Sequence, residues 1–240
     1  MSAQRISPPF VTPLEVWDLP VGGKLLQMWR SDDAFPERLA DAVALVRARH
    51  PAIAHVHLAG GGASVGCADA VLALGVPCTR DDDPFTAALA GAALVRGAAC
   101  ADIGQTGVKL ARGEATWRVR RDLARAPLRD DVPLADRAAA RASTVAVLAE
   151  ALATTGARQL VVALPCELDA AGQPLGCTYC WPPRDPALLA DLSRLAQAEL
   201  AVLNDAELAT VGAAPKLPRG LTSLVLTLGF GVGAALWAPR

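Results

Sequence analysis

The stretch Ala101-Asp102-Ile103-Gly104-Gln105-Thr106-Gly107-Val108-Lys109 constrains this chain more than any other. It sets an acid, a glycine turn, a hydroxyl and a lysine between two strand-like runs. Glycines at 104 and 107 permit a tight hairpin turn, and successive backbone N–H groups in such turns can face anionic oxygens. A second glycine turn lies near the C-terminal end. Residues 221–238 lack charge over a span long enough to raise the question of a membrane helix. Gly229, Gly231 and Gly233 interrupt that span, and Thr222, Ser223 and Thr227 occupy its first half. It therefore reads as strand, glycine turn, strand.

The rest of the chain alternates helices with strands. Over 34–50, Leu39, Val43 and Val46 recur at helical spacing. Residues 53–59 alternate in and out as a strand does and end in Gly60-Gly61-Gly62, and 63–74 read as a helix closed by Gly75. A short strand over 76–79 precedes Asp81-Asp82-Asp83 and Pro84, which open a helix running to about Val95. Strands into Asp102, over 108–111 and over 116–120 form hairpins, and 137–155 is an alanine-rich helix ending at Gly156. Residues 159–164 are an apolar strand bounded by Pro165. Asp185 and Pro186 cap a helix patterned by Leu188, Leu189, Leu192, Leu195 and Leu200. A strand over 201–203 delivers Asn204-Asp205, and Ala206 begins another helix. This order predicts α/β layers with mixed sheets flanked by helices.

Composition excludes several classes. With 240 residues, 52% hydrophobic content and a net charge of −1, the chain can bury a real core and is neither disordered nor a nucleic-acid scaffold. The arginines between Arg112 and Arg141 are interleaved with Glu114, Asp122, Asp130, Asp131 and Asp136, the pattern of a solvated face. Residues 1–20 are proline-rich and show no apolar secretory core, so a cytoplasmic protein with no membrane or nucleic-acid partner is expected. Reduced thiols are expected for the six cysteines. Cys177 and Cys180 form a C-x-x-C that could be half a zinc site or a redox pair, with Cys166 as a third thiolate; buried or loop cysteines are the plain alternative. The tryptophans at 17, 29, 117, 181 and 237 read as core or lobe-edge residues, with Trp181, in a proline-rich loop, the one best placed to lie near a ligand.

Several separated segments resemble the actin-like ATPase superfamily, and within it the ROK (repressor, open reading frame, kinase) sugar kinases. Asp102-x-Gly104-x-Thr106 resembles the first phosphate motif of that family, and Thr227-Leu228-Gly229-Phe230-Gly231-Val232-Gly233 the second. Leu58-Ala59-Gly60-Gly61-Gly62-Ala63-Ser64 is similar to the adenosine motif. Ala163-Leu164-Pro165-Cys166-Glu167-Leu168-Asp169 with Gly172 resembles the V-P-G-x-V-D-x-x-G segment, and Val202-Leu203-Asn204-Asp205-Ala206 the segment carrying the catalytic aspartate. In the family the adenosine motif closes the chain; here it precedes the first phosphate motif, so the resemblance implies a circular permutation. Phe230 stands where a hydroxyl residue is usual, Cys166 where glycine is, and the E-x-G-H sugar segment and cysteine-rich zinc motif are not found.

The resemblance implies a two-lobed, ribonuclease H-like fold. One lobe would span 97–215, with the helix 84–96 packed on it, and the other 1–83 plus 216–240. It implies an ATP-dependent kinase acting on a hydroxyl of a sugar or similar small metabolite, with ATP and Mg²⁺. The alternatives are a non-catalytic nucleotide- or sugar-sensing regulator, or an ATPase that activates a partner enzyme; a homodimer is left open. Asp102 would hold Mg²⁺, and Gly104, Gln105, Thr106, Gly229, Phe230, Gly231 and Gly233 would line the phosphates. Lys109 would add a point charge there or stand exposed on its strand. Gly60, Gly61, Gly62 and Ser64 would admit the nucleotide or form an ordinary strand-to-helix turn. Asp205 would be general base or helix cap, Asn204 would orient the acceptor, and Glu167 would border it or serve only its loop.

Overall fold

The computed structural model describes residues 3–14, 20–21, 24–25, 34–104, 107–120, 134–165, 167–172, 174–176, 193–194, 199–229 and 232–239. The chain divides into two compact units, each assembled from non-contiguous segments. Unit 1 is residues 1–7 with 88–208, and unit 2 is residues 8–87 with 209–240.

Unit 1 is built on six strands: β1 (Ala3–Arg5), β7 (Ala99–Ile103), β8 (Gly107–Arg112), β9 (Ala115–Arg120), β10 (Gln159–Leu164) and β13 (Glu199–Asn204). Their order is β1-β13-β10-β7-β8-β9. β7, β8 and β9 form an antiparallel meander, while β10, β13 and β1 run parallel on the other side of β7. α4 (Leu134–Thr155) covers the sheet with Val147, Leu148 and Ala151, and its end meets Gly156 at φ +61°. α3 (Thr86–Leu94) packs closely, because a Cβ at Gly91 would lie 2.8 Å from Leu208 Cδ1. A small hairpin, β11 (Glu167–Leu168) with β12 (Pro174–Gly176), sits beside β13.

Unit 2 holds β2 (Val11–Leu14), β5 (Ile53–Ala59), β6 (Cys78–Arg80), β14 (Thr222–Leu228) and β15 (Val232–Trp237) in the order β2-β15-β14-β5-β6, together with a hairpin of β3 (Pro20–Val21) and β4 (Lys24–Leu25). β14, β15 and β2 are the antiparallel meander, and β5 and β6 run parallel to β14. α1 (Phe35–Arg49) has proline in its first turn, Glu37 at its start and Arg47 and Arg49 at its end, the arrangement its dipole favours. It buries Leu39, Val43 and Val46 with Val71 of α2 (Val65–Leu72) against Val56, Leu58 and Leu226 of the sheet. α5 (Asp205–Ala213) begins in unit 1 and crosses into unit 2, where Ala209 and Ala213 pack with Leu217, Val225 and Ala59. Among the described residues, no helix is long and apolar enough to cross a membrane.

The two sheets follow a related plan: a three-stranded meander whose first strand is flanked, on its other side, by parallel strands, three in unit 1 and two in unit 2. In unit 1 the meander is continuous in the chain. In unit 2 it is split, with β14 and β15 at the C-terminal end and β2 near the N-terminal end.

Four local expectations change. β1 pairs with β13, so residues 1–7 belong to unit 1 and not with 1–83. The other seams fall inside α3 and α5 rather than at 83/84 and 215/216. Leu200, expected in a helix, lies in β13, and the helix expected from Asp185 falls outside the described residues apart from Ser193 and Arg194. Finally, β5 does not alternate between core and solvent. It lies between β14 and β6 with helices on both faces, so His55 and His57 are buried as fully as Val56 and Leu58.

Candidate functional site

In unit 1 the parallel strands bring their C-terminal ends to one edge of the sheet. Register places Asp102 of β7 beside Ala163 of β10, and Ala163 beside Leu203 of β13. Asp205 follows two residues later as the first residue of α5. Lys109 faces Asp102 across the β7–β8 hairpin, and its Nζ donates to Asp102 Oδ2 at 2.9 Å. Lys109 does not stand exposed on its strand, since its ammonium turns toward the acid of the same turn.

The start of α5 separates capping from the candidate base. Asn204 Oδ1 accepts the Ala206 N–H at 2.8 Å, and Glu207 Oε2 accepts the Asn204 N–H at 2.9 Å. This reciprocal pair is a capping box with Asn204 as the cap. The side-chain oxygen of Asn204, the residue expected to orient an acceptor, is thus engaged by the helix. Asp205 is left with a half-buried carboxyl near Asp102 and Lys109. Burial first, and the Asp102 carboxylate second, push Asp205 up to about 7; the Ala206 N–H and the Lys109 ammonium pull the other way. A carboxyl of this kind is half-ionised at neutral pH and can take up or release a proton there.

The hairpin turn is closed by Gly104 N–H donating to Gly107 O at 3.0 Å, so that amide is occupied within the turn. Glu167 is exposed on β11, and Asp169 Oδ1 accepts the Ala171 N–H at 2.9 Å, serving its own loop. Gln105 and Thr106, with Phe230 and Gly231, lie outside the described residues, as do Cys166, Cys177, Cys180 and Trp181.

The remaining glycine-rich segments meet in unit 2. β5 and β14 are neighbours, with Thr227 paired to Ala59, so the turn at Gly60–Gly62 and the turn at Gly229 leave the sheet side by side. Gly60 has φ +88°, and a Cβ there would lie 2.7 Å from Leu228 O. Gly62 N–H donates to that same carbonyl at 2.7 Å. Glycine at 60 is therefore required by the protein's own backbone, whatever else approaches it. Ser64 is the N-cap of α2, its hydroxyl accepting the Cys67 N–H at 3.2 Å. Gly233 sits in the ladder opposite Thr227.

Unit 2 also holds a polar string with no local signal in the sequence, because the partners of the two β5 histidines lie more than twenty residues on, at Thr79 and Asp81. His57 Nδ1 lies 2.8 Å from Thr79 Oγ1, which lies 3.1 Å from His55 Nε2. His57 Nε2 is 3.3 Å from Asp81 Oδ1, to which Lys216 Nζ donates at 2.7 Å from the 3-10 turn Ala214–Lys216. Ser223 of β14 stands in register with His55, while Ala209, Ala213, Leu217 and Val225 give this face its apolar packing. Burial, then His57, lowers His55, favouring its neutral form. Burial alone would raise Asp81, but His57 and Lys216 outweigh it and the net direction is down.

A histidine held below its unfolded value contributes stability that is complete above about pH 6.5 and is lost as pH falls through that value, because the unfolded chain takes the proton first. Wild type should therefore lose stability relative to His55→Gln below pH 6.5, by up to about 1.4 kcal/mol per pH unit. Urea unfolding of both proteins at pH 7.5 and 5.5 checks this; parallel losses would remove His55 as the cause. Asp81 contributes its own loss only below about pH 4.

Among the described residues, no group of three or more His, Cys, Asp or Glu side chains is disposed to hold a metal ion. Cys67, Cys78 and Cys100 are free thiols, and burial raises both Cys78 and Cys100, so neither is activated. No family model, no curated protein and no solved structure matches the chain.

Proposed function

We propose that the chain is an ATP-dependent phosphotransferase acting on a hydroxyl of a sugar or similar small metabolite, in a circularly permuted, two-lobed actin-like fold. The observation that carries this reading is Asp205: a carboxyl at the start of a helix, poised near neutral pH beside Asp102 and Lys109. The repeated strand plan supports the fold. The meander of unit 2 corresponds to that of unit 1 when β14 and β15 are followed by β2, the order a permuted chain would have.

In this reading Asp205 accepts the proton of the acceptor hydroxyl as its oxygen bonds to the γ-phosphorus and the bridging P–O bond breaks. The leaving charge passes to the nucleoside diphosphate. Phosphoryl transfer depends mainly on positioning and on charge neutralisation. Lys109 supplies a cation beside Asp102, and Asn204 and Glu207 hold the helix end that carries the base. Mg²⁺ binds through one or two carboxylates plus phosphates rather than a protein cage, so Asp102 would be its holder. When bound, the ion neutralises phosphate charge.

A non-catalytic nucleotide- or sugar-sensing regulator is the second reading. It is favoured by Gly104 and Gly62, whose amides are already engaged by protein carbonyls. A thermal-shift screen with ATP, ADP and sugars, with and without Mg²⁺, run beside a phosphorylation assay over a broad carbohydrate panel, separates the two. Phosphorylated product from Mg-ATP is expected. A nucleotide shift without product would favour the regulator, and no shift with no ATP hydrolysis would end both.

A further inference from the structure

The first strand of the chain carries a side chain that reaches the helix bearing Asp205. Arg5, at the end of β1, donates from Nη2 to Glu207 Oε1 at 2.6 Å and from Nη1 to Ile6 O at 2.6 Å. The other Glu207 oxygen accepts the Asn204 N–H, and Asn204 in turn accepts from Ala206. Asp205 is thus bracketed by two residues whose backbones are tied into one frame.

The frame is enclosed. The Glu207 side chain is 2% exposed and that of Arg5 12%. Gly172, at φ +80°, closes over them; a Cβ there would meet Val202 Cγ2 at 3.0 Å and Arg5 Cβ at 3.3 Å. β1 is itself anchored by the Arg5–Val202 register and by Ile6 N–H donating to Val202 O at 2.8 Å. A capping-box glutamate needs no cation when it is exposed. Here it is buried, and removing its arginine partner would leave a carboxylate in a dry site. Each Glu207 oxygen serves a different donor, so the carboxylate cannot turn toward water without releasing Asn204.

We infer that Arg5, acting through Glu207, is a positioning residue for Asp205: docking of β1 against β13 sets the start of α5 and so holds the carboxyl against Asp102 and Lys109. This rests on the phosphotransferase reading for its catalytic consequence, but not for the physical coupling.

Two measurements on the full chain test it. In steady-state kinetics with Mg-ATP, Arg5→Met and Glu207→Gln are expected to lower kcat by roughly ten- to a hundredfold with KM for Mg-ATP within about twofold. Arg5→Lys, which keeps the charge but not the two diverging donors, should recover part of the loss. A role confined to stability would move the melting temperature and leave kcat of the folded protein alone, which would overturn the inference. The second measurement needs no turnover. In a double-mutant cycle of Arg5→Met or Arg5→Lys with Asp205→Asn, the unfolding equilibrium constants should depart from additivity by about threefold or more. Additive effects would overturn the inference even if the chain proved to be a kinase, and coupling without any turnover would discard only the phosphotransferase reading.

Discussion

Asp205→Asn is expected to lower turnover with Mg-ATP by roughly 10²–10⁴-fold and, at the same time, to make the protein more stable above neutral pH. The amide copies the shape of the carboxyl but cannot accept a proton, so nucleotide affinity should stay within about twofold. The stability gain follows from the same physics. Folding raises the Asp205 carboxyl to about 7 from 3.8. Between those values the folded protein keeps a proton that the unfolded chain has released, so stability falls as pH rises through that window. Above it the full penalty of an ionised carboxylate remains. The variant should therefore be more stable by roughly 1–3 kcal/mol at pH 8 and indistinguishable from wild type below about pH 4. Urea unfolding at both pH values beside a turnover assay decides it. A variant that keeps its turnover, or is no more stable at pH 8, would remove Asp205 from the role of base.

Gly60→Ala should cost roughly 2–4 kcal/mol of stability. Two effects add at this position. The residue has φ +88°, where a side chain is strained, and the new Cβ would press on Leu228 O at 2.7 Å and Leu228 N at 3.0 Å. Both obstacles are backbone atoms of a central strand, which cannot step aside as a side-chain tip can. Gly75 supplies the comparison: its φ is +72° but nothing lies within 4 Å of its added Cβ. Gly75→Ala should therefore show only the backbone strain, about 1 kcal/mol. Denaturant midpoints of the two variants, measured side by side, isolate the clash. Equal losses would mean that Leu228 yields.

Much of the α/β arrangement could be read from residues whose neighbours in sequence decide their state. The strands β10 and β15 and the helix α1 are apolar or periodic runs bounded by glycine or proline, and local signals suffice for them. β1 shows the opposite case. Ala3-Gln4-Arg5 has no strand-like composition, and only the distant β13 makes it a strand. The site is divided in the same way. Asn204 and Asp205 can each cap a helix, so the dipeptide leaves the assignment open until the hydrogen bonds give capping to Asn204. The pairing of Asp102 with Lys109 is implicit in a hairpin register. The partnership of Arg5 and Glu207, 202 positions apart, has no local signal at all.

The seams of the molecule also constrain how it can be dissected. Two of the chain's crossings between units pass through the interiors of α3 and α5, and the third follows Ser7. A fragment cut at the unit boundaries would sever a helix, and one cut at the neighbouring loops would carry part of the other unit. A fragment spanning 88–208 alone would also discard the seven residues that supply the arginine for Glu207. Any minimal version of unit 1 must therefore reattach that N-terminal peptide, by fusion or by adding it in trans, before a failure to fold or bind says anything about the unit itself.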